Sequence, residues 1–259
     1  MSHLREIFTD ESVRLLVKDT TVRSRTSKIA VIVTDGTAIL GLGDIGPIAG
    51  LPVMEGKSLL FKLLGDVDVI PFCIGPASEQ SEVKLISQAI GNYMAINLED
   101  IKAPQCFGVE KGLQDLQLLP IFHDDQHGTA IVTLAALLNA LKLSEKDIAK
   151  IRIVINGAGA AGITIAKLIL AYGATHIVVC DSKGAIVEGR EGLNQSKREL
   201  ARMTNPDQIS GSLEMAIEGM DVFIGVSSGG AFKAEWVKRM AARPIIFAMA
   251  NPIPEIFPD

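Results

Sequence analysis

Two pairs of adjacent acidic residues, Glu99-Asp100 and Asp124-Asp125, each follow a short apolar segment that is typical of a β-strand. Open α/β sheets bind their ligands at the carboxyl ends of their strands, so both pairs stand where chemistry is expected. Each pair could also serve only as a cap or as a favourable charge in the first turn of a helix. Because two such pairs occur, we favour their convergence on one hard cation, Mg²⁺ or Mn²⁺, for which carboxylate oxygens are suitable ligands.

A glycine-rich run further along the chain is typical of a dinucleotide-binding turn. It follows the apolar segment IRIVIN, precedes an apolar helical segment, and consists of Gly157, Ala158, Gly159, Ala160, Ala161 and Gly162. Asp181 lies 19 residues beyond Gly162, at the end of the next apolar segment. In Rossmann-type proteins such a turn holds the pyrophosphate at a helix N-terminus, and such an acid takes the ribose hydroxyls. The alternative, a glycine turn that packs a helix on a strand without a ligand, fits this complete context less well.

A second glycine pattern, from Gly41 to Gly46, also has the GxGxxG spacing after an apolar strand. The residues that follow include Pro47, Gly50 and Pro52. We expect these residues to break the helix whose N-terminus a pyrophosphate would need. The coenzyme is therefore assigned to the later run.

Three further side chains could take part in chemistry, but their positions in the sequence favour ordinary roles. His123 and His127 have the spacing of a zinc-binding pair on a helix, yet the segment reads as a strand end and a turn, with no cysteine nearby. We expect each histidine to be satisfied by backbone partners. Lys57 begins an apolar segment after Gly56, and position alone predicts a solvated surface charge.

Apolar segments alternate with helix-like segments along the sequence, and this alternation predicts an α/β fold. The predicted strands are residues 29–34, 67–74, 94–98, 151–156, 176–180, 221–226 and 244–250. The predicted helices are residues 57–64, 82–90, 160–172 and 233–242, with a further amphipathic stretch around Leu213 to Glu218.

The order of these elements predicts two lobes. We expect a doubly wound parallel sheet, a Rossmann-type NAD domain, over residues 127–259. A smaller N-terminal α/β lobe for substrate and metal is expected over residues 1–126. The boundary is placed near His127, because residues 122–129 are predicted to turn into the helix that precedes the second sheet.

Composition excludes several classes of protein. The chain has 259 residues, of which 48% are hydrophobic, enough for a large core. A formal net charge of −5, without a run of basic residues, argues against nucleic-acid binding. Three widely spaced cysteines without a CxxC motif suit a reducing compartment. The start of the chain lacks an apolar signal core, and the run from Ala130 to Leu138 is too short for a membrane span. We therefore expect a cytoplasmic protein whose partner is a small molecule.

Carboxylates for a divalent cation, followed by a nicotinamide-coenzyme fingerprint, predict metal-assisted oxidation of a small hydroxy acid. Longer motifs make this prediction more specific; they are TDGTAILGLGDIG (34–46), PVMEGKSLLFK (52–62), INLEDIKAPQCF (96–107), FHDDQHGTAIV (122–132), NGAGAAGI (156–163), VCDSKG (179–184) and FAMANPIPEI (247–256). In these motifs, from about Ser27 to its end, the chain resembles the bacterial-type malic enzymes.

The resemblance implies oxidative decarboxylation of L-malate to pyruvate and CO₂, with reduction of NAD or NADP and with Mn²⁺ or Mg²⁺ as the metal. It assigns the metal ion to Glu99, Asp100 and Asp125. It makes Lys57 the general base, supported by Asp124, and places Asn251 on the nicotinamide and substrate side of the cleft. A base near neutrality needs a pKa well below the usual value of about 10.4, which burial and a cation next to Lys57 would promote. A homodimer is also expected.

The type of coenzyme depends on Asp181. Its charge is expected to repel a 2′-phosphate and to favour NAD over NADP. Lys183, two residues further on, could neutralise that phosphate and reverse the preference.

The sequence also departs from the family it resembles. Family members carry an N-terminal tyrosine, within a Y-T/S-P-G-V-A motif, as the acid that protonates the enolate, and Phe8-Thr9 is the nearest match here. Tyr93 and Tyr172 are placed too far from the acidic pairs to replace it, and family members continue beyond the final PEIFPD. We therefore expect the chain, assayed alone, to bind NAD and Mn²⁺ but to turn over malate poorly. Two alternatives share the motifs: a malolactic-type lyase, and a non-catalytic protein that binds malate or dinucleotide.

Overall fold

The computed structural model describes residues 29–90 and 93–258. Phe8 and Thr9, the weak match to the tyrosine motif, lie outside the described residues.

The first half of the described chain forms a four-stranded parallel sheet flanked by helices. Its elements are β1 (Ala30–Thr34), α1 (Gly46–Gly65), β2 (Val69–Cys73), α2 (Glu79–Ala89), β3 (Ile96–Leu98), α3 (Gln105–Asp115) and β4 (Ile121–His123). The strand order is β2-β1-β3-β4, and all three pairings are parallel. β1 is buried along its whole length, which explains its continuous apolar sequence, since both faces of a parallel sheet are covered.

A continuous helical segment leads from this sheet to the next. It starts as a π-helical turn, Asp124–Gly128, and continues as α4 (Thr129–Ser144). The predicted simple turn over residues 122–129 is therefore wrong. A side chain at Gly128 would overlap the Asp124 carboxylate, so the glycine allows the wide helical turn to close.

The segment Asp124–Ser144 is also the helix within the described residues that is long and apolar enough to cross a membrane. Its buried side chains, among them Ala130, Leu137 and Leu141, pack into the apolar core of the second sheet. Only 28% of its most apolar stretch is buried, and Ile131, Val132 and Leu143 on the same segment are exposed.

The second half forms a five-stranded sheet. Its elements are β5 (Arg152–Asn156), α5 (Ala160–Ala171), β6 (His176–Asp181), β7 (Gly184–Ala185), α6 (Gln195–Met203), α7 (Leu213–Ala216), β8 (Val222–Gly225), a 3-10 helix (Ala234–Arg239) and β9 (Ile245–Ala248). The strand order is β7-β6-β5-β8-β9. Every pairing is parallel except that of the short edge strand β7. The α/β class and the Rossmann-type sheet are confirmed.

The apolar cores of the two sheets meet each other. Phe107 on α3 packs against both cores. Ala160, the first residue of α5, packs against the core of the first sheet. The helix that follows the glycine run is thus in direct contact with the lobe that carries the acidic pairs.

All the predicted strands are present, with ends within two residues of those expected. The predicted helix over residues 233–242 is instead the shorter 3-10 helix. Two helices, α3 and α6, were not predicted. Gly108 and Gly112 weaken the helical pattern of α3, and α6 buries only Leu200 and Ala201, so it lacks a long apolar face.

The expected helix break after Gly46 is also wrong. α1 begins at Gly46 and contains both prolines. Pro47 lies in the first turn, where its missing N–H has no partner within the helix in any case. Gly50 faces Ile39, whose Cδ1 would lie 3.2 Å from an added Cβ, so this glycine allows α1 to pack closely.

Candidate active site

Three carboxylates meet at the carboxyl ends of the neighbouring strands β3 and β4. Glu99 and Asp100 follow β3, and Asp125 lies in the π-helical turn after β4. One oxygen atom of each side chain lies within 4.8 Å of the others. The Asp100 backbone N–H donates to Asp125 Oδ2 over 2.8 Å, which ties the two strand ends together. The structure thus brings together the residues that the sequence proposed as metal ligands.

The electrostatics of this cluster favour a cation. Burial, and secondarily the Asp125 charge, raise the pKa of Glu99 to about 7 against the pull of Lys57. Burial and the neighbouring carboxylates raise the pKa of Asp100 to about 7. Burial likewise raises the pKa of Asp125. A set of crowded oxygen donors whose charges repel one another fits Mg²⁺ or Mn²⁺, which would neutralise the repulsion.

Lys57, on α1, joins this cluster through Glu99. Its Nζ donates to Glu99 Oε1 over 2.6 Å and to Asp124 Oδ2 over 2.5 Å. The predicted solvated surface charge is therefore wrong, because only 22% of the side chain is exposed. Burial by itself would lower the pKa of Lys57, but the charges and hydrogen bonds of Glu99 and Asp124 outweigh it and raise the pKa. Without a cation the pKa of Lys57 is therefore raised, and its lowering beside a bound cation stays a prediction.

The π-helical turn gives two adjacent carboxylates different partners. Asp124 accepts from Lys57, whereas Asp125 accepts from the Asp100 backbone. This division of contacts matches a base-supporting role for the first acid and a ligand role for the second.

The two histidines beside these acids have different surroundings. His127 Nε2 lies 2.8 and 3.0 Å from the two carboxylate oxygens of Glu110. His123 is fully buried, neither ring nitrogen has a hydrogen-bond partner, and burial lowers its pKa to about 4. The expectation of backbone partners for both rings is therefore wrong. The turn expected at these residues is also helical, and the Glu110 carboxylate holds His127.

The glycine run after β5 forms a tight turn into α5, as a dinucleotide-binding turn requires. A side chain at Gly162 would overlap the Gly157 carbonyl, and one at Gly157 would overlap the Val226 carbonyl. At Gly43, by contrast, an added Cβ would have no neighbour within 4 Å. The two glycine patterns therefore differ in packing and not in the presence of a following helix.

A cavity of about 430 Å³ lies beside this turn. Its wall includes Asn156, Gly157, Ala158, Gly159, Asp181, Lys197 and Ser227. The residues belong to the ends of β5, β6 and β8 and to α6, so the cavity lies at the carboxyl edge of the sheet, where dinucleotides bind.

Asp181, at the rim of this cavity, is already paired with two cations. Its Oδ2 accepts from Arg190 over 2.5 Å and from Lys197 over 2.7 Å, while Oδ1 accepts from the Lys183 backbone N–H. Burial works against ionisation of Asp181, but the hydrogen bonds from Arg190 and Lys197 outweigh it and lower its pKa to about 2. Arg190 and Lys197, which the sequence did not single out, thus neutralise the charge of Asp181. The preference for NAD was argued from a free charge on Asp181, and in the structure that charge is paired.

Asn251 lies on an exposed loop after β9 and is not part of the cavity wall. The next residue, Pro252, approaches the first lobe: its Cδ would lie 3.8 Å from a Cβ at Gly41. Of the two tyrosines, Tyr93 packs against the core of the first sheet and Tyr172 ends α5 with half of its surface exposed.

Comparison with known proteins places these features in one family. Residues 126–256 match the family model described as malic enzyme, NAD binding domain, and residues 4–84 match the malic enzyme, N-terminal domain. The chain is 54% identical over 232 residues to the bifunctional malic/malolactic enzyme of Bacillus subtilis, covering 89% of this chain and 57% of that protein. It is 51% identical to the NAD-dependent malic enzyme of Geobacillus stearothermophilus, covering 88% of this chain and 48% of that protein. The chain thus spans about half the length of these curated relatives.

The fold is similar to a solved structure over nearly its whole length. The NAD-dependent malic enzyme of Thermotoga maritima superposes with a TM-score of 0.93 at 45% identity, covering 98% of this chain and 70% of that one.

Proposed function

Since the chain belongs to the malic enzyme family, we propose that it carries out the oxidative decarboxylation of L-malate to pyruvate and CO₂, coupled to reduction of NAD or NADP. The observation that carries this proposal is the cluster in which Lys57 bridges Glu99 and Asp124, next to the carboxylates of Asp100 and Asp125. It lies in the lobe against which the coenzyme helix α5 packs.

Glu99, Asp100 and Asp125 are the proposed ligands of Mn²⁺ or Mg²⁺, because their buried oxygens match the ligands these ions prefer. When bound, the coenzyme accepts hydride from C2 of malate, and the cation stabilises negative charge on the oxygen at C2 during loss of CO₂.

Lys57 is the proposed general base, and Asp124 is the residue that holds it in place. Their contact over 2.5 Å fixes the Nζ at the edge of the carboxylate cluster. Any positive charge that neutralises Glu99 weakens the attraction that now raises the pKa of Lys57. Lys57 can then lose its proton more readily and accept the hydroxyl proton of malate at Nζ.

The glycine turn from Gly157 to Gly162 is the proposed site for the pyrophosphate, with Asp181 next to the ribose and Asn251 on the nicotinamide and substrate side. Support for this assignment comes from the close backbone packing of the turn and from the N-terminus of α5, which favours an anion.

We further propose a homodimer. Helix α1 exposes a row of large apolar side chains: Leu59, Leu60, Leu63 and Leu64, each more than half exposed. An apolar patch of this kind commonly marks a protein interface. Sedimentation velocity at micromolar concentration tests the proposal, with a monomer as the contradicting result.

Two smaller proposals concern organisation and location. The lobe boundary stays near His127, supported by the four-stranded sheet before it and the five-stranded sheet after it. A cytoplasmic location is supported by the unbridged cysteines at positions 73, 106 and 180.

The decisive experiment is a malate assay with Mn²⁺ and NAD or NADP, in which the absorbance of the reduced nicotinamide is followed and the organic product is identified. Pyruvate together with reduced coenzyme supports the proposal. Lactate without released reduced coenzyme supports a malolactic reaction, a candidate favoured by the name of the relative from Bacillus subtilis. Binding of malate and coenzyme without any product would identify a non-catalytic binding protein.

A further inference from the structure

Glu255 joins the two loops that follow strands β8 and β9. Its side chain is completely buried. Its Oε1 accepts from the Ser227 backbone N–H over 3.0 Å and from the Ser227 hydroxyl over 3.4 Å. Its other oxygen, Oε2, accepts from the Ala250 backbone N–H over 3.0 Å. One carboxylate therefore bridges the second residues of both loops.

The surrounding chain is shaped to this carboxylate. A side chain at Gly225, the last residue of β8, would overlap the carboxyl group of Glu255. Two backbone hydrogen bonds hold the loops together beside it, from Gly230 to the Pro254 carbonyl over 3.0 Å and from Phe232 to the Glu255 carbonyl over 3.1 Å. The position of Glu255 is thus fixed on several sides.

The donors to Glu255 are all neutral groups. Burying a carboxylate costs free energy that neutral donors offset only in part. Stability of the loops alone therefore gives little reason for a carboxylate at this position.

Both loops lead to the candidate active site. Ser227 forms part of the wall of the coenzyme cavity, and its hydroxyl accepts from Asn156 Nδ2, also in that wall, over 2.7 Å. Ala250 directly precedes Asn251, the residue proposed for the nicotinamide side. Glu255 thus connects the wall of the cavity to the loop that carries Asn251.

We propose that Glu255 is a positioning residue for the coenzyme: it holds Ser227 and the Asn251 loop at the separation that the nicotinamide end of the dinucleotide requires. The inference rests on the proposed function.

The test is a fluorescence titration of the full chain with NADH. Glu255→Gln replaces one carboxylate oxygen by a donor, so one of the two loop contacts is lost. We expect the NADH dissociation constant to rise about tenfold, as for loss of hydrogen bonds to a charged group, while Mn²⁺ affinity stays unchanged.

Glu82→Gln is the matched control. Glu82 is also fully buried, and it accepts from the Ala77 backbone N–H and from Gln105 Nε2, away from the coenzyme cavity. Both variants are expected to lose thermal stability, but only Glu255→Gln is expected to lose NADH affinity. Equal NADH affinity of both variants and the wild type would overturn the proposal.

A second route does not depend on the folding of one variant. Gly225→Ala should displace the Glu255 carboxylate by steric overlap and weaken NADH binding by a similar factor. In the double variant with Glu255→Ala the overlap is gone, so the two effects should not add. Additive effects would overturn the inference. If the wild-type chain itself does not bind NADH, the proposed function has failed, and the two failures are therefore distinguishable.

Discussion

The carboxylate cluster after β3 and the glycine turn after β5 occupy equivalent places, each at the carboxyl edge of a parallel sheet. The cluster consists of charged side chains, whereas the turn consists of closely packed backbone. In the cluster, buried charges of the same sign are crowded, and two of them have pKa values raised to about 7. In the turn, backbone packs against backbone at Gly157 and Gly162, where an added methyl group has no room. The comparison predicts that the carboxylate cluster responds to protons and cations, whereas the glycine turn selects its ligand by shape.

Replacement of Lys57 should produce the largest difference between the carboxylate cluster and the glycine turn. We expect Lys57→Ala to lower the rate of hydride transfer from malate by about 10²–10⁴, since a positioned general base is lost. NADH affinity should stay nearly unchanged, because Lys57 contacts only the cluster. Single-turnover kinetics and NADH titration measure the two effects. Lys62→Ala, on the same helix with exposed partners, is the control. An equal loss of NADH binding by the Lys57 variant would show that Lys57 is structural.

The shape of the turn is probed by Gly162→Ala. Overlap with the Gly157 carbonyl should weaken NADH binding by roughly tenfold to a hundredfold, the range expected for an overpacked site. Gly43→Ala, in the other glycine pattern, has space for the methyl group and should cost only about 1 kcal/mol of stability through its positive φ of 77°. The assignment of the two patterns fails if Gly43→Ala loses NADH affinity and Gly162→Ala retains it.

The charge of the cluster is probed by Asp125→Asn. We expect Mn²⁺ affinity to fall roughly 10-fold to 100-fold, a loss seen even when an outer partner of a metal site is removed. His127→Ala should leave Mn²⁺ affinity unchanged, because its ring contacts Glu110. Calorimetric titration with Mn²⁺ and Zn²⁺ decides: tight binding of Zn²⁺ that requires His123 and His127 would refute the oxygen-ligand assignment.

The carboxylate cluster and the coenzyme cavity should also differ in their response to pH. Below the raised pKa values of about 7, Glu99 and Asp100 hold protons that a cation must displace. Mn²⁺ affinity should therefore fall roughly fivefold for each proton displaced as the pH drops from 7 to 6, and level off above about pH 8. NADH affinity should stay flat, because Asp181, whose pKa is lowered to about 2, remains ionised throughout. Parallel pH profiles for the two ligands would contradict the comparison.

The smallest expected effect concerns the choice of coenzyme. Because Arg190 and Lys197 already neutralise Asp181, the wild type should discriminate only weakly between NADH and NADPH. Lys197→Gln removes one cation and should lower NADPH affinity by about fivefold, the scale of a partly exposed ion pair, while NADH affinity changes less. Unchanged or tighter NADPH binding by Lys197→Gln would contradict this role of Lys197.

The carboxylate cluster and the coenzyme cavity also differ in how far sequence predicts them. The acidic pairs and the glycine run could be located because both follow apolar strands, and the carboxyl ends of strands share one edge. The role of Lys57 could not be read from its position, since its burial depends on how α1 packs over that edge. Arg190 and Lys197 stand nine and 16 residues beyond Asp181, without a local pattern that links them to it. The role of Glu255 could not be predicted for the same reason, because its partner Ser227 follows a different strand.

The helical segment Asp124–Ser144 connects the carboxylate cluster to the lobe that carries the glycine turn. Its first turn carries Asp124 and Asp125, it contacts the coenzyme helix α5, and its later residues pack in the core of the second sheet. A cation held by the first turn and a coenzyme held by α5 would thus both contact this one segment. We therefore expect the two ligands to be energetically coupled; reciprocity then requires the cation to change coenzyme affinity by the same factor by which the coenzyme changes cation affinity.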